Sequence, residues 1–147
     1  MINLYQVSTV LAYKVRSSFI MSITSVIASV VATQVFGGVW FTLLSEPWMR
    51  GLGKTHKDFK NMGHTSLVLS GIAMFALAVF MSNTLRSFFG VQTVEEAIHF
   101  ALRVSVAGAL LQIPHNTYEG KGWSTYLVNI GYDTICLLIT CVLTVVM

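Results

Sequence analysis

The stretch VEEAIHFALRVSVAGALLQI, from Val94 to Ile113, decides the fold, because it is long and apolar enough to cross a bilayer. A helix rises about 1.5 Å per residue, so this stretch spans roughly 30 Å, the thickness of a hydrocarbon core. Arg103 lies at its middle, where insertion of an arginine costs roughly 2.5–3.5 kcal/mol. A cation at that depth predicts a partner elsewhere in the chain.

The composition indicates an integral, multi-pass membrane protein. Of the 147 residues, 54% are apolar and only 10% are charged, whereas a soluble domain carries about 25% charged residues. The net charge of +3 comes from basic residues outside the apolar runs, which indicates contact with the lipid bilayer and its anionic headgroups. Nothing in the composition indicates binding to nucleic acid.

The apolar runs predict an all-α fold, a transmembrane antiparallel four-helix bundle that forms one domain over residues 1–147. The segment from Met1 to Arg16 alternates apolar and polar residues, and this pattern predicts a short N-terminal interfacial segment. Pro114 is expected to end the third span, because proline cannot continue the hydrogen bonds of a helix. The predicted spans cover about 19–44, 65–88, 94–113 and 126–147.

Small side chains recur every four residues in two of the spans, a spacing that lets another helix approach closely. We interpret both ladders as packing seams, and expect them to leave apolar surfaces for a partner or a second copy. The ladders are Ser25, Ser29, Thr33 and Gly37 in the first span, and Ala101, Ser105 and Ala109 in the third.

The depth of each residue below the membrane surface, counted along its span, indicates a partner for Arg103. Counted inward from the same membrane side, Arg103 lies ten residues inside the third span and Asp133 seven inside the fourth, which places them at roughly 15 and 10 Å. An ion pair between them inside the bundle is predicted, because an unpaired charge there costs far more. The secondary members of this buried polar site are Gln34, Asn129 and His99.

The predicted pair has two interpretations. A buried ion pair often serves only to fix the register of the helices that it joins. Alternatively, ionisable residues inside a membrane mark a substrate or proton site, which would open here toward the basic loop after the first span.

The sequence indicates no catalytic residue, no cofactor and no metal site. It contains no G-x-S-x-G motif and no serine or cysteine evidently paired with a base, so nucleophilic catalysis has no support. His99 has no second histidine at matching depth in another span, as a bis-imidazole haem site requires. Cys136 and Cys141 are five residues apart, which is neither a redox pair nor a metal-binding spacing.

Two short motifs resemble a known family. GGVWF at 37–41, followed by Trp48, is similar to the Gly-x-x-Trp-aromatic, then Trp, signature of the domain-of-unknown-function family 1761. LVNIGYDT at 127–134 resembles the Asn-x-Gly-Tyr motif of that family. The resemblance implies a four-span membrane fold and no particular activity. The positions that it singles out are Gly37, Gly38, Trp40, Trp48, Asn129 and Tyr132.

Three functions follow as expectations. The first is a non-catalytic membrane protein, either an accessory subunit of a larger complex or a homo-oligomer. The second is a carrier or channel for a small anion or metabolite, with Arg103 as the binding charge. The third is an enzyme on a lipophilic substrate, suggested by a comparison with four-span oxygenases of anthrones, which also have Glu-Pro after the first span, as Glu46 and Pro47 do here. The later motifs of those oxygenases are missing from this chain.

The distribution of basic residues favours a cytoplasmic or matrix location for the loop at 45–64, in a plasma or mitochondrial inner membrane. Three basic residues flank the opposite ends of the spans. The five on the favoured side are Arg50, Lys54, Lys57, Lys60 and Lys121.

Overall fold

The computed structural model describes residues 4–59 and 64–147, with side chains for 23–59 and 65–147. Four of the helices in these ranges are long and apolar enough to cross a membrane. The chain is therefore an all-α, multi-pass membrane protein, as its hydropathy predicts. The helices are α1 (Leu4–Leu43), α2 (Ser45–Gly51), α3 (His56–Phe59), α4 (His64–Thr84), α5 (Val94–Tyr118) and α6 (Trp123–Val146).

The first long helix ends where the sequence places a proline. Pro47 has no N–H to donate to the carbonyl of Leu43, and its ring crowds that carbonyl. The backbone of Leu44 leaves the helical conformation, with φ −107° and ψ 18°, and α2 begins after it. The prediction of a separate short segment at residues 1–16 was wrong, because α1 runs without a break from Leu4 into the first span. Its placement at the membrane interface stays a prediction.

Pro114 does not end the third span, and this expectation was wrong. Helix α5 continues through it to Tyr118, although Pro114 has no N–H to donate to the Leu110 carbonyl. Membrane helices tolerate proline where side chains and neighbouring helices satisfy the backbone groups. The effective stop signal is Gly120, whose φ of +66° is the left-handed conformation that terminates many helices.

The start of α5 agrees with its sequence signal. The Thr93 hydroxyl accepts the N–H of Glu96 at 3.2 Å, and the Glu96 carboxylate accepts the N–H of Thr93 at 3.0 Å. This reciprocal capping box satisfies two backbone donors that a helix N-terminus otherwise leaves open. The carboxylate also lies at the positive end of the helix dipole.

Helix α6 is the centre of the bundle, because it packs against each of the other three long helices. Helix α5 packs mainly on α6, and α4 mainly on α1. The C-terminal parts of α4 and α6 and the N-terminal part of α5 meet in an apolar core at one end of the bundle. The buried members of this core are Met81, Leu85, Val91, Ala97, Ala101, Leu137 and Cys141.

The small-residue ladder of the first span is buried inside this single chain, whereas that of the third span is buried only in part. Ser25, Ser29 and Thr33 are each 1% exposed, and Ala101 is fully buried. The first ladder is a packing seam, as predicted, but helices of the same bundle occupy it, whereas Ser105 and Ala109 of the second ladder line a groove. The expectation of a free seam for a partner was therefore wrong for the ladder of the first span.

Candidate functional site

The two family-like motifs meet where the end of α1 lies against the beginning of α6. A Cβ on Gly131 would lie 2.8 Å from Cζ2 of Trp40, and a Cβ on Gly37 would lie 3.1 Å from Cε2 of Tyr132. Each aromatic ring thus lies over a glycine of the opposite helix. We call these four residues the α1–α6 joint, and the lack of a Cβ on the two glycines permits this close approach.

Hydrogen bonds orient the rings of the two tryptophans. The Trp40 indole N–H donates to the Val128 carbonyl at 3.1 Å, and the Trp48 indole N–H donates to Oδ1 of Asn129 at 2.9 Å. The Thr125 hydroxyl donates to the Trp48 carbonyl at 2.8 Å. These bonds tie α1 and α2 to the first two turns of α6, so the motif residues hold the fold at this end.

Further aromatic rings extend the joint toward the membrane surface. Tyr132 stacks on Phe36, with ring centroids 6.1 Å apart, and contacts Phe41 at 5.0 Å. Trp48 lies between Phe41 and Phe59. Such pairs contribute roughly 0.5–1.5 kcal/mol each beyond simple burial. The contacts within this cluster are ring–ring packing contacts, which stabilise the fold.

Arg103 and Asp133 do not form the predicted ion pair. Within the described residues, the hydrogen-bond partner of the Asp133 carboxylate is the side-chain amide of Gln112, at 3.0 Å. Arg103 is exposed and makes no ion pair or hydrogen bond with the described residues.

The failure of this prediction has a geometric cause. Arg103 and Gln112 are nine residues apart, and at about 100° per residue they lie on opposite sides of α5. Similar depth along the helix axes does not bring two side chains together unless they also point toward each other around those axes. Ending the helix at Pro114 also placed Gln112 near the membrane surface, whereas in α5 it lies six residues before Tyr118. Gln112 is the site residue that sequence reasoning missed.

The secondary members of the predicted site also lie apart. The Gln34 amide donates to the Ser70 hydroxyl at 3.5 Å, on α4, whereas Asn129 pairs with a tryptophan of α2. The His99 side chain is 64% exposed and lies 3.9 Å from Glu95. The structure does not bring the five predicted side chains together.

Two cavities with some polar residues in their lining lie on opposite sides of α5. A groove of about 260 Å³ lies between α4, α5 and α6, and Asp133, Gln112 and Ser105 contribute its polar atoms. A crevice of about 500 Å³ lies under the loop before α5, beside Arg103 and His99. Among the residues that the structure describes, no group of three histidine, cysteine or acidic side chains could hold a metal ion.

Outside the spans, two carboxylates have lowered pKa values. The backbone N–H and hydroxyl of Thr55 donate to Asp58 at 2.7 and 2.9 Å, and these bonds lower the pKa of Asp58 below its usual value. Lys121 pairs with Glu119 and lowers the pKa of that carboxyl. Both groups are local stabilisers of loops.

Comparison with known proteins gives one finding. The profile of a family described as "Protein of unknown function (DUF1761)" matches residues 24–145. The matched range includes both motifs of the α1–α6 joint and nearly all of the four spans. Comparison with curated proteins and with solved structures gave no match. The chain belongs to the DUF1761 family.

Proposed function

We propose that this protein is a non-catalytic accessory subunit of a larger membrane assembly, which docks through one side of α5. The docking surface, which we call the α5 outer stripe, consists of His99, Arg103, Val106 and Leu110. Their spacing of four, three and four residues places them on one face of the helix. All four are exposed, and the unpaired guanidinium of Arg103 is the observation that supports the proposal.

The position of Arg103 makes an uncovered stripe costly. Arg103 lies nine residues into α5, about 14 Å from the start of the helix. Facing lipid there costs roughly 2.5–3.5 kcal/mol, which the long side chain reduces by reaching toward the headgroups. The spans of α1 and α4 carry no charged residue. A partner helix with an acid at this depth would neutralise the cation and cover the apolar half of the stripe.

A second copy of this chain fits the stripe less well. In a dimer whose axis runs along the membrane normal, the two α5 helices are parallel, and each Arg103 faces the other at equal depth. Like charges at such a contact are unfavourable. The small-residue ladder of the first span, which favoured self-association, is occupied within the chain. These points favour a different protein as the partner.

The surroundings of Arg103 do not favour a carrier. A carrier would need Arg103 inside a path between the helices, whereas its side chain borders an open crevice at one end of α5.

Site-specific photo-crosslinking in the native membrane tests the proposal. A photoreactive residue replaces Val106, and the matched control replaces Phe75, which is 53% exposed on α4. We expect position 106 to capture a partner peptide that carries Asp or Glu inside a membrane span, and position 75 to label lipid. Arg103→Gln should lower the yield at 106 at least fivefold, and Arg103→Lys should keep it.

Three outcomes would each overturn the proposal. Lipid adducts alone at position 106 would mean that the stripe faces the bilayer. Capture of a second copy would replace the accessory subunit with a homo-oligomer. A yield that Arg103→Gln leaves unchanged would remove the charge from the recognition.

A further inference from the structure

The groove between α4 and α5 has the features of a ligand site that is separate from the α5 outer stripe. Helix α6 forms its floor, and its walls are almost wholly apolar, with Met74, Leu77 and Val104 among them. Its volume of about 260 Å³ exceeds the roughly 150 Å³ of an engineered apolar cavity that holds benzene. One ring with a short chain is therefore of suitable size.

The polar end of the groove is acidic. Asp133 lies ten residues into α6, about 15 Å from the helix start. One carboxylate oxygen accepts the Gln112 amide, and no cation of the described residues lies within ion-pair distance. In the α5 wall of the groove, the Ser105 hydroxyl is buried without a hydrogen-bond partner among the described residues. A carboxylate and an unpartnered hydroxyl at this depth can both accept hydrogen bonds from a cationic ligand.

Gly108 keeps the groove open. It lies in the wall of the groove, and a Cβ added there would meet no atom within 4 Å. Its small size is therefore not needed for helix packing, unlike that of Gly37 and Gly131. A larger side chain at 108 would project into the groove without disturbing the neighbouring helices.

We propose that this groove binds a small lipophilic amine, whose ammonium group pairs with Asp133 and whose apolar part lies between α4 and α5. The ammonium supplies both the positive charge and the hydrogen-bond donors that the carboxylate lacks. The apolar walls account for selectivity toward a ligand that partitions into the bilayer. This site faces away from Arg103, so it does not depend on the proposed partner.

Binding of matched probes to the purified full-length protein in nanodiscs tests the proposal. The probes are 4-phenylbutylamine and 4-phenylbutanol, which share one scaffold and differ in the polar end. We expect the amine to bind at least tenfold more tightly than the alcohol. Asp133→Asn should remove that preference, and Gly108→Leu should abolish binding of both probes.

The matched control is Gly38→Leu, because a Cβ at Gly38 also meets nothing within 4 Å and this glycine does not line the groove. It should bind both probes like the wild type. Equal affinity for amine and alcohol, or an amine preference that survives Asp133→Asn, would overturn the proposed recognition. The absence of binding to the wild type, or an equal loss in both leucine variants, would overturn the site itself.

Discussion

Replacing Gly131 by alanine should destabilise the protein, because the α1–α6 joint has no room for a methyl group. The new Cβ would lie 2.8 Å from Cζ2 and 3.2 Å from Cη2 of Trp40, whereas carbon atoms pack at about 3.5–4.0 Å. The indole must therefore move by several tenths of an ångström. It cannot do so freely, because its N–H bonds the Val128 carbonyl and its ring packs on Phe36.

The expected cost follows from three contributions. Overpacking a filled site costs about 1–3 kcal/mol, and weakening the indole hydrogen bond adds about 0.5–1.5 kcal/mol. Alanine recovers about 0.5–1 kcal/mol relative to glycine in a helix. The free energy of unfolding of Gly131→Ala should therefore fall by about 0.5–4 kcal/mol. Gly38→Ala, which has open space around it, should match or slightly exceed the wild type.

Unfolding in mixed micelles, followed by circular dichroism and tryptophan fluorescence, measures these differences. Adding Trp40→Phe to Gly131→Ala removes the atoms that clash, so the double variant should lose less than the sum of the two single losses. Wild-type stability of Gly131→Ala, an equal loss in Gly38→Ala, or strict additivity in the double variant would refute the packing argument.

Three further measurements test other contacts. Trp48→Phe removes the bond to Asn129 and should cost about 1–2 kcal/mol, with faster amide exchange in α2; unchanged exchange would contradict this. Gly51→Ala places a Cβ 2.6 Å from a backbone nitrogen of α6 and should cost about 3 kcal/mol in the same unfolding assay, because backbone cannot move aside. Because the pKa of Asp58 is lowered, its hydrogen bonds from Thr55 persist at neutral pH and are lost as the pH falls through that pKa. The amide chemical shift of Thr55 should therefore titrate with a midpoint below the ordinary aspartate pKa of about 3.9. A higher midpoint would contradict the assignment.

Hydropathy and motif spacing predicted much of the fold, because crossing a bilayer imposes long apolar helices and few alternatives. The start of α5 was readable from Thr93 and Glu96, whose side chains act locally. Its end was not, because whether Pro114 breaks a helix depends on the surrounding contacts. The ladder of the first span was identified correctly as a seam, but sequence does not say which helix fills a seam.

The candidate site shows the same limit at the level of single residues. Counting residues gives the depth of a side chain, and a pair needs equal direction as well as similar depth. The direction of Arg103 depends on how α5 is turned against α6, which the buried face containing Ala97 and Ala101 decides. That face turns Gln112 toward Asp133 and turns Arg103 away from the bundle.

The two proposals therefore rest on one rotational setting of α5, and this makes them separable by experiment. Arg103 and Gln112 lie half a turn apart around the axis, so a substitution on one side leaves the atoms on the other in place. Arg103→Gln should weaken capture of the partner and leave amine binding unchanged. Gly108→Leu should block the amine and leave capture unchanged. If either variant affected both readouts, the cause would be a turned or unfolded α5, and the assignment of two independent faces would be wrong.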